Sequence, residues 1–540
     1  MLPLYSMKWQ VLHESLVTNK KEVLGILLEN RGLKTKKEID EFLQPKAPKD
    51  ITFKDLGIDN KDLKKVIDRL NKAKKNKEKV IVFGDYDADG VSATAILWEA
   101  LYKLGFNALP FIPNRFEDGY GLKAKSFDYK ELQPENCSLL ITVDNGIVAY
   151  DGIKEAKKRG IDVIVVDHHT KGTKKLPTEF CLHSTLVCGS ALSWFLAKEL
   201  GKEDGLDLVA LGTIADQMPL LKINRSLVKY GLVELTKTKR VGLKALFRDL
   251  KIETVGVYEV GYIIAPRINA MGRLRSATDS LRFLCTRDPK KASDLNRLLN
   301  ETNIERQKIV DEVLTSVLKS VTTEEKIIVI DGEYHEGVIG LASGKVTERF
   351  YRPSIVLSVG KDGISKASAR SISGFNIIEA IKETGLILEG GGHPMAAGFS
   401  IETTKILEFK TLINELAKGK LTDEIMERKL KIDLELSFQN IDTELLTELK
   451  KFEPTGFGNF APVFVSRKVK IVEIKPVGSE GKHLKLKFEQ ENKKLDAIAF
   501  GMVNSKNLKT NDEVDVAYTL DENVWNNKTS IQLKVKDIKI

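Results

Sequence analysis

KVIVFGDYDADG (79–90) is a short, β-branched apolar run that breaks into alternating aspartates, Asp85, Asp87 and Asp89, before Gly90. The same design occurs twice more. LLITV (Leu139–Val143) stops at Asp144, Asn145 and Gly146, and DVIVV (162–166) stops at Asp167, His168 and His169. Each run is apolar throughout and is followed by helix-like sequence, which is how strands buried on both faces of a parallel sheet read. Residues just past the carboxyl ends of such strands gather in one crevice. Five carboxylates and two imidazoles are then expected in one small volume. Like charges at that density need cations, so a metal site is the direct inference.

At 540 residues, with 42% hydrophobic and 30% charged content, the sequence reads as a globular protein of several domains. No apolar stretch reaches the about 18 residues of a membrane span, and no charged-then-apolar leader opens the sequence. A protein without a membrane segment, in the cytoplasm, is expected. Cys137, Cys181, Cys188 and Cys285 show no CxxC spacing, which argues against zinc fingers and disulfides and for reduced thiols. The net charge of +9 suits a polyanionic partner, but a lysine-rich solvated surface explains it equally well.

Along the chain, 1–70 reads as a helical segment and 71–230 as an α/β domain with a parallel sheet. Residues 231–325 read as helical and end in a long polar connector helix. A smaller α/β domain is expected over 326–425, closing with GGGHPMAAGFS (390–400). From 426 to 540, alternating runs such as VFVSRKVKIVEI and IQLKVKDIKI, about five in all, predict an OB-like β-barrel.

In an extended or turning segment, Asp85, Asp87 and Asp89 point the same way and can converge on a cation. An isolated acidic turn or helix N-cap is the ordinary meaning of such a string, but it leaves the two other strands unexplained. Asp-Asn-Gly is common turn chemistry; its place after LLITV makes Asp144 a candidate ligand, able to bridge two metals. Adjacent histidines rarely bind one ion together. His168 is therefore assigned to a metal and His169 to the substrate phosphate or to supporting the ligands. Asp216, in LDLVALGTIADQMPL, is the weakest candidate on local grounds, because an acid in helical sequence is usually solvated.

DYDADG, VDNG, the DHH triplet at 167–169 and GTIADQMPL, in this order, resemble the motifs of the DHH phosphoesterase superfamily, and GGGHPMAAG resembles the signature of its accompanying DHHA1 domain. IPNRFEDGYGL, APRINAMGRL, HEGVIGLASGKV, SARSISGFN and PTGFGNFAPVF are similar to strings of the RecJ exonuclease branch. On this resemblance 71–230 is a DHH catalytic domain and 326–425 a DHHA1 domain. Tyr334 stands where tryptophan is common in the family, with little consequence expected, and no further domain is expected beyond the barrel.

The resemblance implies a nuclease that degrades single-stranded DNA from its 5′ end to mononucleotides, in repair and recombination. Asp87, Asp89, Asp144, His168 and Asp216 would ligate one or two Mn²⁺ or Mg²⁺ ions, with Asp85 and His169 completing the site. A pair of cations activates water and stabilises the leaving 3′ oxygen, and imidazole in the donor set favours Mn²⁺. Arg115, Arg267 and Arg370, read as loop residues, would fork onto phosphates, and His393 after three glycines would meet a phosphate closely. Arg370 and His393 are the expected grip on the terminal 5′ phosphate, with a narrow cleft between lobes selecting single strands. Phe457, Phe460 and Trp525 are candidate stacking platforms on the barrel. A monomer is expected, with a helicase and a single-strand-binding protein as companions. The second reading is a DHH phosphodiesterase of short oligonucleotides or cyclic dinucleotides, relatives that usually lack the barrel and connector. A non-catalytic DNA-binding scaffold is disfavoured, since every ligand position is filled.

Overall fold

Successive residues of the three acidic-ended strands are buried on opposite faces of one sheet. Val80, Val82, Leu139, Ile141, Val143, Ile164 and Val166 pack into one core, and Ile81, Phe83, Leu140, Val163 and Val165 into another. Two-sided burial explains why the runs are apolar throughout instead of alternating. In this computed structural model, residues 7–17, 19–321, 325–478, 481–503, 508–525 and 528–540 are described. The chain divides into two units. A parallel-sheet unit comprises Thr35–Glu305 and Phe452–Phe460, and a barrel-bearing unit comprises Met1–Lys34, Arg306–Lys451 and Ala461–Ile540.

The parallel-sheet unit contains, in chain order, β1 (Lys79–Phe83), α1 (Ala88–Lys103), β2 (Asn107–Phe111), β3 (Leu139–Val143), α2 (Tyr150–Lys158), β4 (Asp162–Asp167), β5 (Phe180–His183), α3 (Gly189–Glu199), α4 (Leu206–Ala215), α5 (Lys222–Thr236) and α6 (Ala265–Leu274). The sheet runs β2-β1-β3-β4-β5 with every pair parallel. In a doubly wound sheet of this order the connections diverge between β1 and β3, and ligands bind there at the carboxyl ends. The helix Pro289–Ser320 carries the chain out of this unit.

The barrel-bearing unit holds a five-stranded mixed sheet, ordered Ile387–His393, Ala396–Glu402, Ile364–Arg370, Ser354–Ser358, Ile328–Gly332. The expected barrel is present. Phe464–Val477 pairs with both His483–Gln490 and Glu513–Trp525, closing a ring through Lys493–Ala499 and Lys528–Lys539. Among the described residues, no helix is long and apolar enough to cross a membrane.

The helical reading of 1–70 is corrected at its start. Lys8–Val17 is a strand, paired parallel to Lys429–Leu436, before the helices Lys20–Asn30, Lys36–Leu43 and Asn60–Lys75. Trp9 and Val11 alternate onto the core of Ile432, Val465 and Ala517. The indole Nε1 donates to Asp537 Oδ2 at 2.8 Å, and the Lys539 ammonium lies 4.6 Å from the indole ring. Truncating Trp9 to alanine removes this wedge and should lower stability by about 2 kcal/mol in chemical denaturation. An unchanged midpoint would show that the strand is a peripheral addition.

Candidate metal centre

Asp85, Asp87 and Asp89 leave β1 through a turn that opens α1. Asp87 is the N-cap: its Oδ1 accepts the backbone N–H of Asp89 and of Gly90, both at 2.9 Å. Asp89, fully buried, is gripped by the start of another helix, with Gly189 N donating to Oδ2 at 2.7 Å and Ser190 N to Oδ1 at 3.0 Å. Unpaired N–H groups and the dipole of a helix N-terminus favour a carboxylate there. Asp144 follows β3 with φ +61°, a left-handed conformation that aspartate tolerates better than most residues. Asn145 Nδ2 donates to Val143 O at 2.9 Å and Phe83 O at 3.3 Å, tying the ends of β1 and β3 together.

At the end of β4, Asp167 accepts from the backbone N–H groups of His168, His169 and Ile147. Its Oδ1 also lies 2.8 Å from His169 Nδ1, which fixes that ring. His168 points the other way, its Nε2 lying 3.0 Å from Asp144 Oδ1, 3.8 Å from Asp216 Oδ2 and 3.9 Å from Asp89 Oδ2. Asp216 enters as the C-cap of α4.

The structure thus gathers Asp85, Asp87, Asp89, Asp144, His168, His169 and Asp216. They form three overlapping triads with donor atoms within 4.8 Å of one another: Asp85, Asp87 and Asp144; Asp89, His168 and Asp216; Asp144, His168 and His169. Burial, followed by the charge of Asp87, pushes the Asp85 carboxyl well above its ordinary range; burial and Asp89 do the same to Asp144. Asp87 is raised by burial and Asp89. Burial lowers His168 against the pull of Asp89, which keeps its ring neutral and able to ligate. Burial also opposes charging of His169, but its hydrogen bond to Asp167 prevails and pushes it up to about 9. Among the described residues, Asp85 Oδ1 and Asp144 Oδ1 are buried without a hydrogen-bond partner, the His168 contact being outside hydrogen-bond geometry. Orphaned carboxylate oxygens beside a neutral imidazole fit a divalent cation of the Mn²⁺ or Mg²⁺ kind.

The basic candidates divide. Arg115 lies in a turn, its guanidinium 5.0 Å from the Tyr86 ring centroid, and its charge lowers the Asp85 pKa. Arg267 is not in a loop: α6 continues directly from the π-helical turn Glu259–Ile264, and Arg267 inside it bonds Asn300 Oδ1 at 2.6 Å and Ile263 O at 2.7 Å. Arg370 is also not in a loop; it ends the strand Ile364–Arg370 in the barrel-bearing unit. His393 closes the strand Ile387–His393, so the three glycines before it are hairpin backbone, Gly392 with φ +147°. Phe457 and Phe460 are exposed but do not belong to the barrel, because the segment 452–460 packs within the parallel-sheet unit. The side chain of Trp525 lies outside the described residues.

Three supporting residues, Asn145, Tyr120 and Asn269, have no role in the sequence reading, and Asp167, counted there among the converging acids, proves to orient the histidines. The Tyr120 hydroxyl lies 3.2 Å from the His169 ring nitrogens and donates to Asp144 O at 3.3 Å. Asn269 Oδ1 accepts the N–H of Ala88 at 2.7 Å, docking α6 on the acidic turn. None carries a local signal beyond lying in or near a motif.

Two outcomes are expected. A Cβ at Gly212 would lie 2.2 Å from both Asp89 Oδ1 and Ser190 Oγ. Gly212→Ala should therefore displace Asp89 and cost roughly a hundredfold in metal-dependent activity, with near-native circular dichroism. Asp216, pushed up to about 8 by burial, Asp89 and Asp87, binds its proton more tightly than the unfolded carboxyl at about 3.9. The folded state then holds the extra proton, so metal-free stability falls as pH rises from about 4 to about 8. Melting temperatures of chelator-treated protein should drop across that window, and Mn²⁺ should restore them most at its upper end. A flat profile contradicts this.

Comparison with known proteins agrees with the geometry. The DHH family N-terminal domain matches residues 79–213, the DHHA1 domain 316–419 and the RecJ OB domain 432–537. Single-stranded-DNA-specific exonuclease RecJ of Bacillus subtilis is 33% identical over 96% of this chain and 68% of its own length. The protein of that name from Haemophilus influenzae is 30% identical over 96% of both. The crystal structure of RecJ from Thermus thermophilus in complex with Mn²⁺ aligns with a TM-score of 0.83 and 30% identity, covering 99% of this chain and 79% of that one. Its Mg²⁺ complex gives 0.75 and 29%, over 99% and 78%. The chain belongs to the RecJ exonuclease family of the DHH phosphoesterase superfamily.

Proposed function

We propose that this protein is a metal-dependent exonuclease that hydrolyses single-stranded DNA from the 5′ end and releases 5′-mononucleotides, in the cytoplasm, during repair and recombination. The observation that carries the reading is the convergence of seven carboxylate and imidazole side chains, with orphaned carboxylate oxygens, at the strand ends of a RecJ-family sheet.

Asp87, Asp89, Asp144, His168 and Asp216 would hold two Mn²⁺ or Mg²⁺ ions, with Asp144 and His168 common to two triads. Such a pair, when bound, supplies an acidified water and neutralises charge on the phosphate and the leaving 3′ oxygen. The chain's own groups do the rest. Asp89 is fixed by two backbone N–H groups, so its donor position is set in advance. His169, held by Asp167 and partly exposed, presents a donor to a phosphate oxygen. Arg115 adds a guanidinium beside the acidic turn.

Arg370 and His393 are assigned to the terminal 5′ phosphate. Both pair in register with Ala396, from opposite sides, and so lie at one end of their sheet. The Arg370 guanidinium bonds Ala369 O and Ser368 Oγ, and among the described residues no carboxylate ion-pairs with it. Arg267 is assigned a weaker substrate role, since Asn300 and Ile263 already engage it.

The test is release of nucleotide from 5′-phosphorylated single-stranded DNA labelled at one end or the other. Mn²⁺-dependent release of the 5′ label first, as mononucleotide, is expected, with loss in EDTA. Asp144→Ala should reduce the rate by more than about a hundredfold. Initial release of the 3′ label, or faster cleavage of a dinucleotide than of a long strand, overturns the assignment in favour of a different polarity or a short-oligonucleotide phosphodiesterase.

A further inference from the structure

We infer that Arg225 is a positioning residue of the metal centre. It clamps the segment 452–460 against the turn that carries Asp216, so a distant stretch of sequence sets the place of one candidate ligand. The inference rests on the metal reading above.

Asp216 is anchored differently from the other candidate ligands. Asp144 N bonds Val166 O inside the sheet, and Asp89 is gripped by two N–H groups. The Asp216 carboxylate accepts no hydrogen bond among the described residues, and its side chain is 28% exposed where those of Asp89 and Asp144 are 2%. Its position is left to the backbone. On one side that backbone is fixed by α4, with Asp216 N bonding Gly212 O at 2.9 Å and Met218 N bonding Thr213 O at 3.1 Å. Gln217, at φ +55°, also bonds α4 through its N–H to Ile214 O at 3.1 Å; beyond Met218 comes Pro219, which has no N–H, and the first anchor outside α4 is Leu220 N donating to Phe457 O at 2.7 Å. The far wall of the turn is therefore the segment 452–460.

That wall leaves little freedom. A Cβ at Gly456 would lie 2.7 Å from Leu220 Cδ1, and one at Gly458, where φ is +76°, 2.8 Å from Pro219 Cβ. Gly456 and Asn459 exchange backbone bonds at 2.8 and 3.1 Å, and Asn459 Nδ2 donates to Phe452 O and Pro454 O, both at 2.9 Å.

Arg225 holds this loop from beneath. It lies in the first turns of α5, shortly after the Asp216 turn, and is completely buried. Its guanidinium donates to three consecutive carbonyls, with Nη1 to Phe452 O at 2.9 Å and Pro454 O at 3.3 Å, and Nη2 to Glu453 O at 2.8 Å. Nε donates to Phe42 O at 2.7 Å, and the guanidinium lies 4.0 Å from the Phe42 ring centroid. A planar fork of donors fixes several peptide planes at once, which a lysine ammonium cannot reproduce. Losing it removes these four hydrogen bonds between a helix residue and this loop and Phe42, leaving Phe452 O and Pro454 O to the Asn459 amide, and so loosens the loop. A small shift at Leu220 is passed to Asp216 through the three intervening residues Gln217, Met218 and Pro219.

The test is Mn²⁺ binding to the full chain, followed by electron paramagnetic resonance of free Mn²⁺, for the wild type, Arg225→Lys, Arg225→Met, Asn459→Ala and Gly458→Ala. Folded variants should bind at least one Mn²⁺ about tenfold to a hundredfold more weakly. The Mn²⁺ concentration for half-maximal nuclease activity should rise in step, while the rate at saturating Mn²⁺ changes only a few-fold. A merely structural arginine would lower the melting temperature without moving Mn²⁺ affinity. Should the Arg225 variants fail to fold, Gly458→Ala decides, because it keeps the clamp and displaces Pro219. Folded Arg225→Met or Gly458→Ala with wild-type Mn²⁺ affinity overturns the clamp alone. A wild-type protein that binds no Mn²⁺ overturns the metal reading, and the clamp with it.

Discussion

Mutual repulsion among buried carboxylates is the constraint on which the site depends. Asp85, Asp89 and Asp144 are each nearly inaccessible, and burial together with neighbouring acids raises Asp85 and Asp144 well above the ordinary carboxylate range. No packing advantage would place such groups together, and replacement by apolar residues would relieve the strain. The arrangement makes sense only if positive charge joins it. The sheet supplies the stiffness to hold the groups against their own repulsion, because β1, β3 and β4 are buried on both faces and tied by parallel pairing. Asn145 adds a direct tie between the ends of β1 and β3, so the two most crowded strand tips cannot drift apart independently.

The donors are anchored in graded ways, and the grading follows their distance from the sheet. Asp144 adopts a left-handed backbone at the strand tip, a local cost tolerated where surrounding structure over-determines it. Asp89 sits on a helix but borrows the N–H groups of α3, which compensate its charge as a cation would. Asp216 has neither device, which is why tertiary contacts from 452–460 acquire a part in placing it.

What the sequence disclosed, it disclosed through local pattern. Apolar runs ending in acids gave the parallel sheet and the crowding at its edge, since strand burial and strand ends are properties of a few consecutive residues. Period-two alternation gave the barrel for the same reason. Lys8–Val17 shows a weaker alternation, in Trp9 and Val11, and its partner Lys429–Leu436 lies near the other end of the chain, so nothing local distinguished it from the helices that follow. Arg267 was misplaced because Pro266 reads as a loop signal, yet the helix runs straight through it, continuing from the π-helical turn Glu259–Ile264 that relaxes the backbone just before the proline. The glycines before His393 form a strand because their neighbour Ala396–Glu402 supplies the pairing that their own composition does not favour. The move of Phe457 and Phe460 away from the barrel depends on Arg225 and Asn459, whose buried polar bonds leave no trace in a local reading.

The pair of adjacent histidines shows how one backbone produces two chemically different groups. Both follow β4, but Asp167 turns back to bond the His169 ring while its carboxylate also accepts the N–H groups of His168 and His169. His169 is thereby biased toward the charged form and toward donating outward; His168, with no such partner among the described residues and a ring buried among Asp89, Asp144 and Asp216, is biased toward the neutral form with a free lone pair. A neutral ring can ligate a cation and a charged one cannot, whereas a charged ring can grip a phosphate. The aspartate that begins the triplet is therefore neither redundant with the other acids nor a spare ligand. On the proposed assignment, its position at the last residue of the strand would sort the two imidazoles into a metal donor and a phosphate donor.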